Sequence, residues 1–241
     1  MTPDDVRAAA EQLVDFHGRF APLFGKEPAQ DHAYDYLKGL MVCPERKSIE
    51  PIALLVGHGD VSRLQKFVGA ASWADDDVMA EAQALFAEEL VPSAAGSPVG
   101  TVGVIDESAF TKKGSHSAGV ARQHNGRLGK EDNCQVGVFL VGVTPAGQAR
   151  LDHRLFLPES WCAAPRQAKD RREAAHIPED VSFRTKPQIA AELIRDVAVL
   201  GQVELEWVVG DSEYGRAGHR PSLRERYPNR TTTKALHVQG R

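Results

Sequence analysis

Two aspartates stand where a carboxylate can be held stiffly and still reach solvent. Asp106 closes the apolar run TVGVID and Asp211 closes EWVVGD. A strand fixes the backbone while its end opens toward the sheet edge, a placement that suits a metal ligand. If the two strands are neighbours, the carboxylates could share a pair of Mg²⁺ ions about 3.5–4 Å apart, the arrangement that activates a nucleophile and stabilises the leaving oxygen in phosphodiester cleavage. Such a centre needs a third acid. Taken singly, each aspartate reads more readily as a strand-end or helix-cap acid than as a metal ligand.

Basic residues follow the first acid. Lys112 and Lys113, with Arg122 and Lys130, could contact phosphates near a scissile bond, where such side chains position nucleic acid without reading its sequence. A solvated hairpin would use the same residues. Other chemistries find less support. Cys43, Cys134 and Cys162 are odd in number and lack a Cys-x-x-Cys pair, against a disulfide framework or a cysteine zinc site. His116, His124 and His153 have no His-x-x-x-His spacing. No G-x-x-x-x-G-K phosphate loop is present, so ATP use is not expected. Cys134 reads as a small core residue, Trp73, Trp161 and Trp207 as core or seam residues, and Tyr214 as packing beneath Asp211.

Positioning these residues requires two kinds of element. Up to residue 92 the sequence reads as helices: Val6, Leu13, Phe16, Phe20 and Leu23 recur at helical spacing, as do Tyr34, Leu37 and Met41. ERKSIEPIALLV predicts a further short helix, Asp60 or Ser62 can cap the next, and Ser72 or Asp75 can open one through Val78, Ala82, Leu85, Phe86 and Leu90. Several short helices with small turns are compatible with a helix-turn-helix-like, DNA-binding bundle, although most such bundles are only bundles. The stretch PSAAGSPVG, residues 92–100, is the best boundary. Beyond it, TVGVID, HSAGVARQH, CQVGVFLVGVT and ARLDHRLFLP predict antiparallel strands, with a hairpin turn at TPAG, residues 144–147. KPQIAAELIRDVAVLG predicts a helix with Ile189, Leu193, Ile194, Val197 and Leu200 inward, before the strand EWVVGD. The expected class is α/β, a helical region followed by a mixed sheet.

The 241 residues carry 29 Lys and Arg against 33 Asp and Glu, a formal charge of −4, with 42% hydrophobic residues. This composition excludes a disordered or collagen-like chain and leaves room for one or two domains with a real core. The acidic balance speaks against a general DNA-coating protein, but it is uneven: residues 216–241 hold seven Lys or Arg and a single acid, Glu225. The opening MTPDDVRAAAEQL is acidic and amphipathic, and no apolar run reaches the 18 or so residues of a membrane span, so a soluble, cytoplasmic protein with no membrane partner is expected.

Four ordered blocks narrow the reading: D-E-x-x-F-x-K-K-G at 106–114, G-V-x-R-Q at 119–123, N-C-Q-V-G-V-F at 133–139 and G-D-x-x-Y-G at 210–215. Together they resemble the DDE-superfamily transposases of bacterial insertion sequences over residues 15–215 or so. The resemblance implies a partial ribonuclease H-like core over 100–215, with Asp106 and Asp211 as the first two acids, binding Mg²⁺ or Mn²⁺. It also implies a helical region over 1–92 that contributes to binding transposon ends, and metal-dependent DNA cleavage and strand transfer. A homo-oligomer or a full-length transposase is the implied protein partner. In this family the third acid is a glutamate on a later helix, whereas residues 216–241 show neither a helical nor a strand period. A C-terminally truncated, inactive chain with a disordered basic tail is therefore expected, the alternative being a non-catalytic DNA-binding remnant that occupies element ends or interferes with full-length transposase. Glu107, Glu213 and Glu225 are the nearest substitutes for the missing acid.

Overall fold

The computed structural model of the chain describes residues 2–45, 47–57, 59–162, 166–211, 213–214 and 234–237, with the backbone alone for 166–168 and 234–237. The chain divides into two compact units, Met1–Glu81 and Ala82–Arg241.

The first unit is helical. Helix α1 (Pro3–Phe20) opens on a reciprocal cap, in which the Thr2 hydroxyl accepts from the Asp5 amide and the Thr2 amide donates to the Asp5 carboxylate. Its predicted inward stripe is only partly covered: Phe20 is buried and Leu13 and Leu23 are half-buried, but Val6 and Phe16 are 54% and 41% exposed. The core forms instead among α2 (Glu27–Val42), α3 (Ile49–Leu55) and α4 (Val61–Ala70), where Ala33, Cys43, Ile52, Ala53, Leu64 and Phe67 are buried together. Gly39 explains why α2 is turned away from the predicted Tyr34, Leu37 and Met41 stripe. A Cβ there would collide with Ile52, so the bare backbone at Gly39 admits α3, while Met41 points to solvent. Asp60 caps α4 by accepting from the Ser62 amide.

Helix α5 (Asp75–Glu89) crosses the division, which falls before the Pro/Ser/Gly/Ala stretch at 92–100. The reason lies in its second half, where Phe86, Ala87 and Leu90 just beyond it pack into the core of the sheet. The sheet comprises β1 (Val102–Thr111), β2 (Ala121–Asn125), β3 (Lys130–Thr144), β4 (Gly147–Phe156), β5 (Trp207–Gly210) and β6 (Lys234–His237). The order is β2-β3-β1-β5-β6, with β4 also paired to β3. β1, β2 and β4 run antiparallel to β3, while β5 lies parallel to β1 and to β6. This is the mixed, ribonuclease H-like sheet that the resemblance implies. β3 is long because β2 uses its first residues, Lys130–Cys134, and β4 the rest, Val136–Thr144. The β3–β4 turn is the predicted hairpin, with Thr144 paired to Gly147.

After β4 come α6 (Glu159–Cys162), α7 (Arg166–Ala174) and α8 (Lys186–Leu200). α8 starts on a capping box between Thr185 and Gln188 and stops at Gly201 in the left-handed conformation. Its Ile189, Leu193, Ile194 and Val197 are buried against Ile105, Val138, Leu140, Leu151 and Val208, as the periodicity predicts, except that Leu200 in the last turn is exposed. β6 lies in the segment for which the sequence shows no period. The rest of 216–241, with Arg220, Arg224, Arg226 and Glu225, falls outside the described residues. Among the described residues no helix is long and apolar enough to cross a membrane.

Candidate functional site

β1 does not end at Asp106 as the sequence suggests; it continues to Thr111 because β3 pairs with it along its whole length. What ends there is the parallel ladder to β5, whose last partners are Ile105 and Gly210. Asp106 and Asp211 each follow the last paired residue, so they stand side by side on strands about 4.8 Å apart. Both are exposed. One oxygen of each is occupied: Asp106 Oδ1 accepts from the Glu107 amide at 2.8 Å and Asp211 Oδ1 from the Glu213 amide at 2.9 Å. The second oxygen of each has no partner among the described residues.

The neighbouring acids do different work. Strand alternation sends Glu107 to the face opposite Asp106, where it accepts from Lys186 Nζ at 2.6 Å and from the Tyr214 hydroxyl at 2.9 Å. Glu107 thus ties β1 to the start of α8 and to the turn that carries Asp211. Tyr214 packs against Gly210 beneath that turn, and its burial, followed by the Glu107 charge and hydrogen bond, pushes the phenol well above its ordinary range. Glu213 gives its amide to Asp211, and Glu225 lies outside the described residues. Two adjacent carboxylates suit part of the oxygen shell of a hard divalent cation. Among the described residues, however, no group of three His, Cys, Asp or Glu side chains could hold a metal ion. The fit is therefore partial.

The basic residues gather elsewhere. Asn133 donates from Nδ2 to the carbonyls of Lys112 and Gly114, at 2.7 and 2.9 Å, and accepts at its own carbonyl from the Lys112 amide. Arg122 stands opposite Asn133 across β2 and β3, so Lys112, Lys113 and Arg122 share one neighbourhood. Lys130, paired with Asn125, begins β3 about 10 Å further along. Six residues of extended strand, about 20 Å, separate Asp106 from Lys112, so these cations do not flank the acid pair as their place in the sequence suggests.

Trp161 is a core residue, as the sequence suggests, but spacing gave no hint of its pairing with Arg171. Trp161 is fully buried with Val120 and Leu157, and its Nε1–H donates to the Val120 carbonyl at 2.9 Å. The Arg171 guanidinium lies 3.6 Å over the Trp161 ring and donates to the same carbonyl at 2.8 Å. The two bonds to the Val120 carbonyl join residues 41 and 51 positions apart, beyond any local pattern. Cys134 is buried, which pushes its thiol up, and His116, His124 and His153 are exposed.

Comparison with known proteins completes the picture. Residues 19–233 match the family described as DDE superfamily endonuclease, past Gly215, where the four sequence blocks end. Over 187 residues, 77% of this chain, it is 31% identical to a protein of Microchaete diplosiphon described as a probable transposase for insertion sequence element IS701. The chain spans 43% of that relative's length.

Proposed function

Because the chain belongs to the DDE superfamily of endonucleases, we propose that its sheet unit is the acid-bearing part of a transposase core that cuts and transfers DNA strands at the ends of an insertion sequence. The observation that supports this reading best is the placement of Asp106 and Asp211 side by side where the parallel β1–β5 ladder ends. A divalent cation such as Mg²⁺ or Mn²⁺, when bound there, would stabilise the charge that develops on a phosphodiester during in-line displacement. The chain's own part is to hold two carboxylates in a fixed pose. The Glu107 and Glu213 amides each fix one oxygen and leave the other without a partner among the described residues, while Glu107, Lys186 and Tyr214 brace the Asp211 turn from behind. No covalent protein nucleophile is required.

Residues 1–241 by themselves bind DNA but do not cut it in this reading, because residues 216–241 show no helical period to carry the family's third acid. That property also favours a second reading, a non-catalytic DNA binder that occupies element ends or interferes with full-length transposase. Mg²⁺- or Mn²⁺-dependent cleavage and strand transfer on end-containing DNA tests the first. Activity of purified 1–241 that disappears in Asp106→Ala would overturn the proposed inactivity. A gel-shift assay with salt titration tests the second: a DNA-bound but inert protein supports it, and absence of a shift sinks it.

A further inference from the structure

Residues 108–130 contain no Asp or Glu and carry Lys112, Lys113, Arg122, Arg127 and Lys130, a formal +5 within a chain of −4. At the centre of this stretch, the loop from Lys112 to Val120 is pinned from one side. Its carbonyls accept from Asn133 at Lys112 and Gly114, from Arg171 at Ser115 and Val120, from Gln135 at Ala118, from Gln123 at Gly119 and from Trp161 at Val120. Gly119 adopts φ +71, and a Cβ there would lie 2.7 Å from the Phe156 carbonyl oxygen, so glycine is required for the loop to seat.

With the carbonyls so engaged, the amide groups are left over. The Lys112 and Val120 amides are bonded, but those of residues 113–119 have no acceptor among the described residues. Residues 113–117 are exposed, and nothing lies within 4 Å of a Cβ built on Gly114, so another chain can approach the backbone closely. Free amides beside lysines, with the hydroxyls of Ser115 and Ser117, are the ingredients of a phosphate-binding concavity.

We propose that the Lys112–Val120 loop is a preformed grip for the phosphate backbone of duplex DNA, with Arg171 and Asn133 as its positioning residues. This rests on the proposed DNA-processing function and adds where the duplex is held. The loop lies about 20 Å from the acid pair, or about six nucleotides at 3.4 Å per phosphate of one strand, so it holds DNA flanking the reacting phosphate and not that phosphate itself. Arg171 acts through the loop: its guanidinium is spent on two carbonyls and the Trp161 face, which an ammonium group cannot reproduce.

The test uses purified 1–241 and a fluorescently labelled duplex of about 20 base pairs, with binding followed by polarisation across a salt series. Lys112→Ala with Lys113→Ala removes two phosphate contacts and should flatten the log–log salt slope by about 2. Arg171→Lys keeps the charge, and Asn133→Ala releases the loop without touching the Trp161 cluster. Each should weaken binding about 5–10-fold with the slope unchanged, the signature of lost preorganisation. Circular dichroism identifies any variant that fails to fold, and NMR shifts of the 113–119 amides on adding duplex to the wild type give a readout that needs no variant. Wild-type affinity in all three variants, with those amides unmoved, would overturn the grip and leave DNA binding elsewhere on the chain intact. No binding by the wild type would overturn both the grip and the proposed function.

Discussion

The point on β1 where the β5 ladder stops and the loop that follows Thr111 differ in how firmly the fold holds them. At the first, the carboxylates of Asp106 and Asp211 are each fixed by a single backbone amide and are otherwise exposed, and the bracing comes from the far side of the sheet through Glu107. Past Thr111 five side chains from β2, β3, α6 and α7 fasten one short loop, and a buried tryptophan lies beneath it. At the acids one oxygen of each carboxylate has no partner among the described residues; in the loop the carbonyls are engaged and the amides of 113–119 are the groups without one. Charge follows the same division, since two like charges meet at the acid end and none of the acids enters residues 108–130.

Substitutions can break this contrast. Trp161→Ala should have the largest effect, lowering stability by about 3–5 kcal/mol in urea unfolding, because it empties a fully buried site and strips the Val120 carbonyl and Arg171 of a partner. A loss below about 1 kcal/mol would mean that the loop end is no better held than the acid end. Glu107→Ala should follow, at about 1–3 kcal/mol by the same measurement, since it leaves Lys186 and Tyr214 half-covered and unpaired; partial exposure of the pair keeps the figure below that of a fully buried one. Glu107→Gln, which still offers an acceptor, should recover part of it.

Alkaline pH gives a smaller effect. The Tyr214 phenol is held above its ordinary value of about 10, chiefly by burial, so the folded protein binds that proton more tightly than the unfolded chain. Its contribution is complete below about pH 10 and drains away as pH rises further, because the unfolded state ionises first. Unfolding midpoints measured across this range should fall less steeply for Tyr214→Phe than for the wild type. An equal slope would show that the Tyr214–Glu107 brace carries no linkage. Asp106→Asn should change stability least, within about 0.5 kcal/mol and on the stabilising side, because it relieves repulsion between two exposed neighbouring carboxylates. Marked destabilisation in thermal melts would show instead that the acid end is as tightly built as the loop.

Much of this molecule was legible in residue order. Strong local signals, such as the α8 stripe, the Thr144–Gly147 hairpin and the apolar runs before Asp106 and Asp211, placed the α/β class and the acids, because each depends on residues a few positions apart. Signals that depend on what lies across a gap were read wrongly or not at all. α1 has the periodicity of a buried helix yet exposes Val6 and Phe16, and α2 turns toward α3 because Gly39 gives no side chain to obstruct Ile52. Asp106 sits in mid-strand because β3 carries β1 beyond the point where β5 stops.

The sequence by itself determined which groups were available: two carboxylates after apolar strands, an acid-free basic stretch, and the four blocks that identify the family. Tertiary structure alone decided how they are used. Strand alternation put Asp106 and Glu107 on opposite faces, although they are adjacent in the chain, and made one a candidate ligand and the other a brace. Pairing of β1 with β5 brought Asp106 beside Asp211, and packing of α6 and α7 brought Trp161 and Arg171 beneath the basic loop. These are contacts between residues tens of positions apart, set by strand register and core packing, and no periodicity along the chain encodes them.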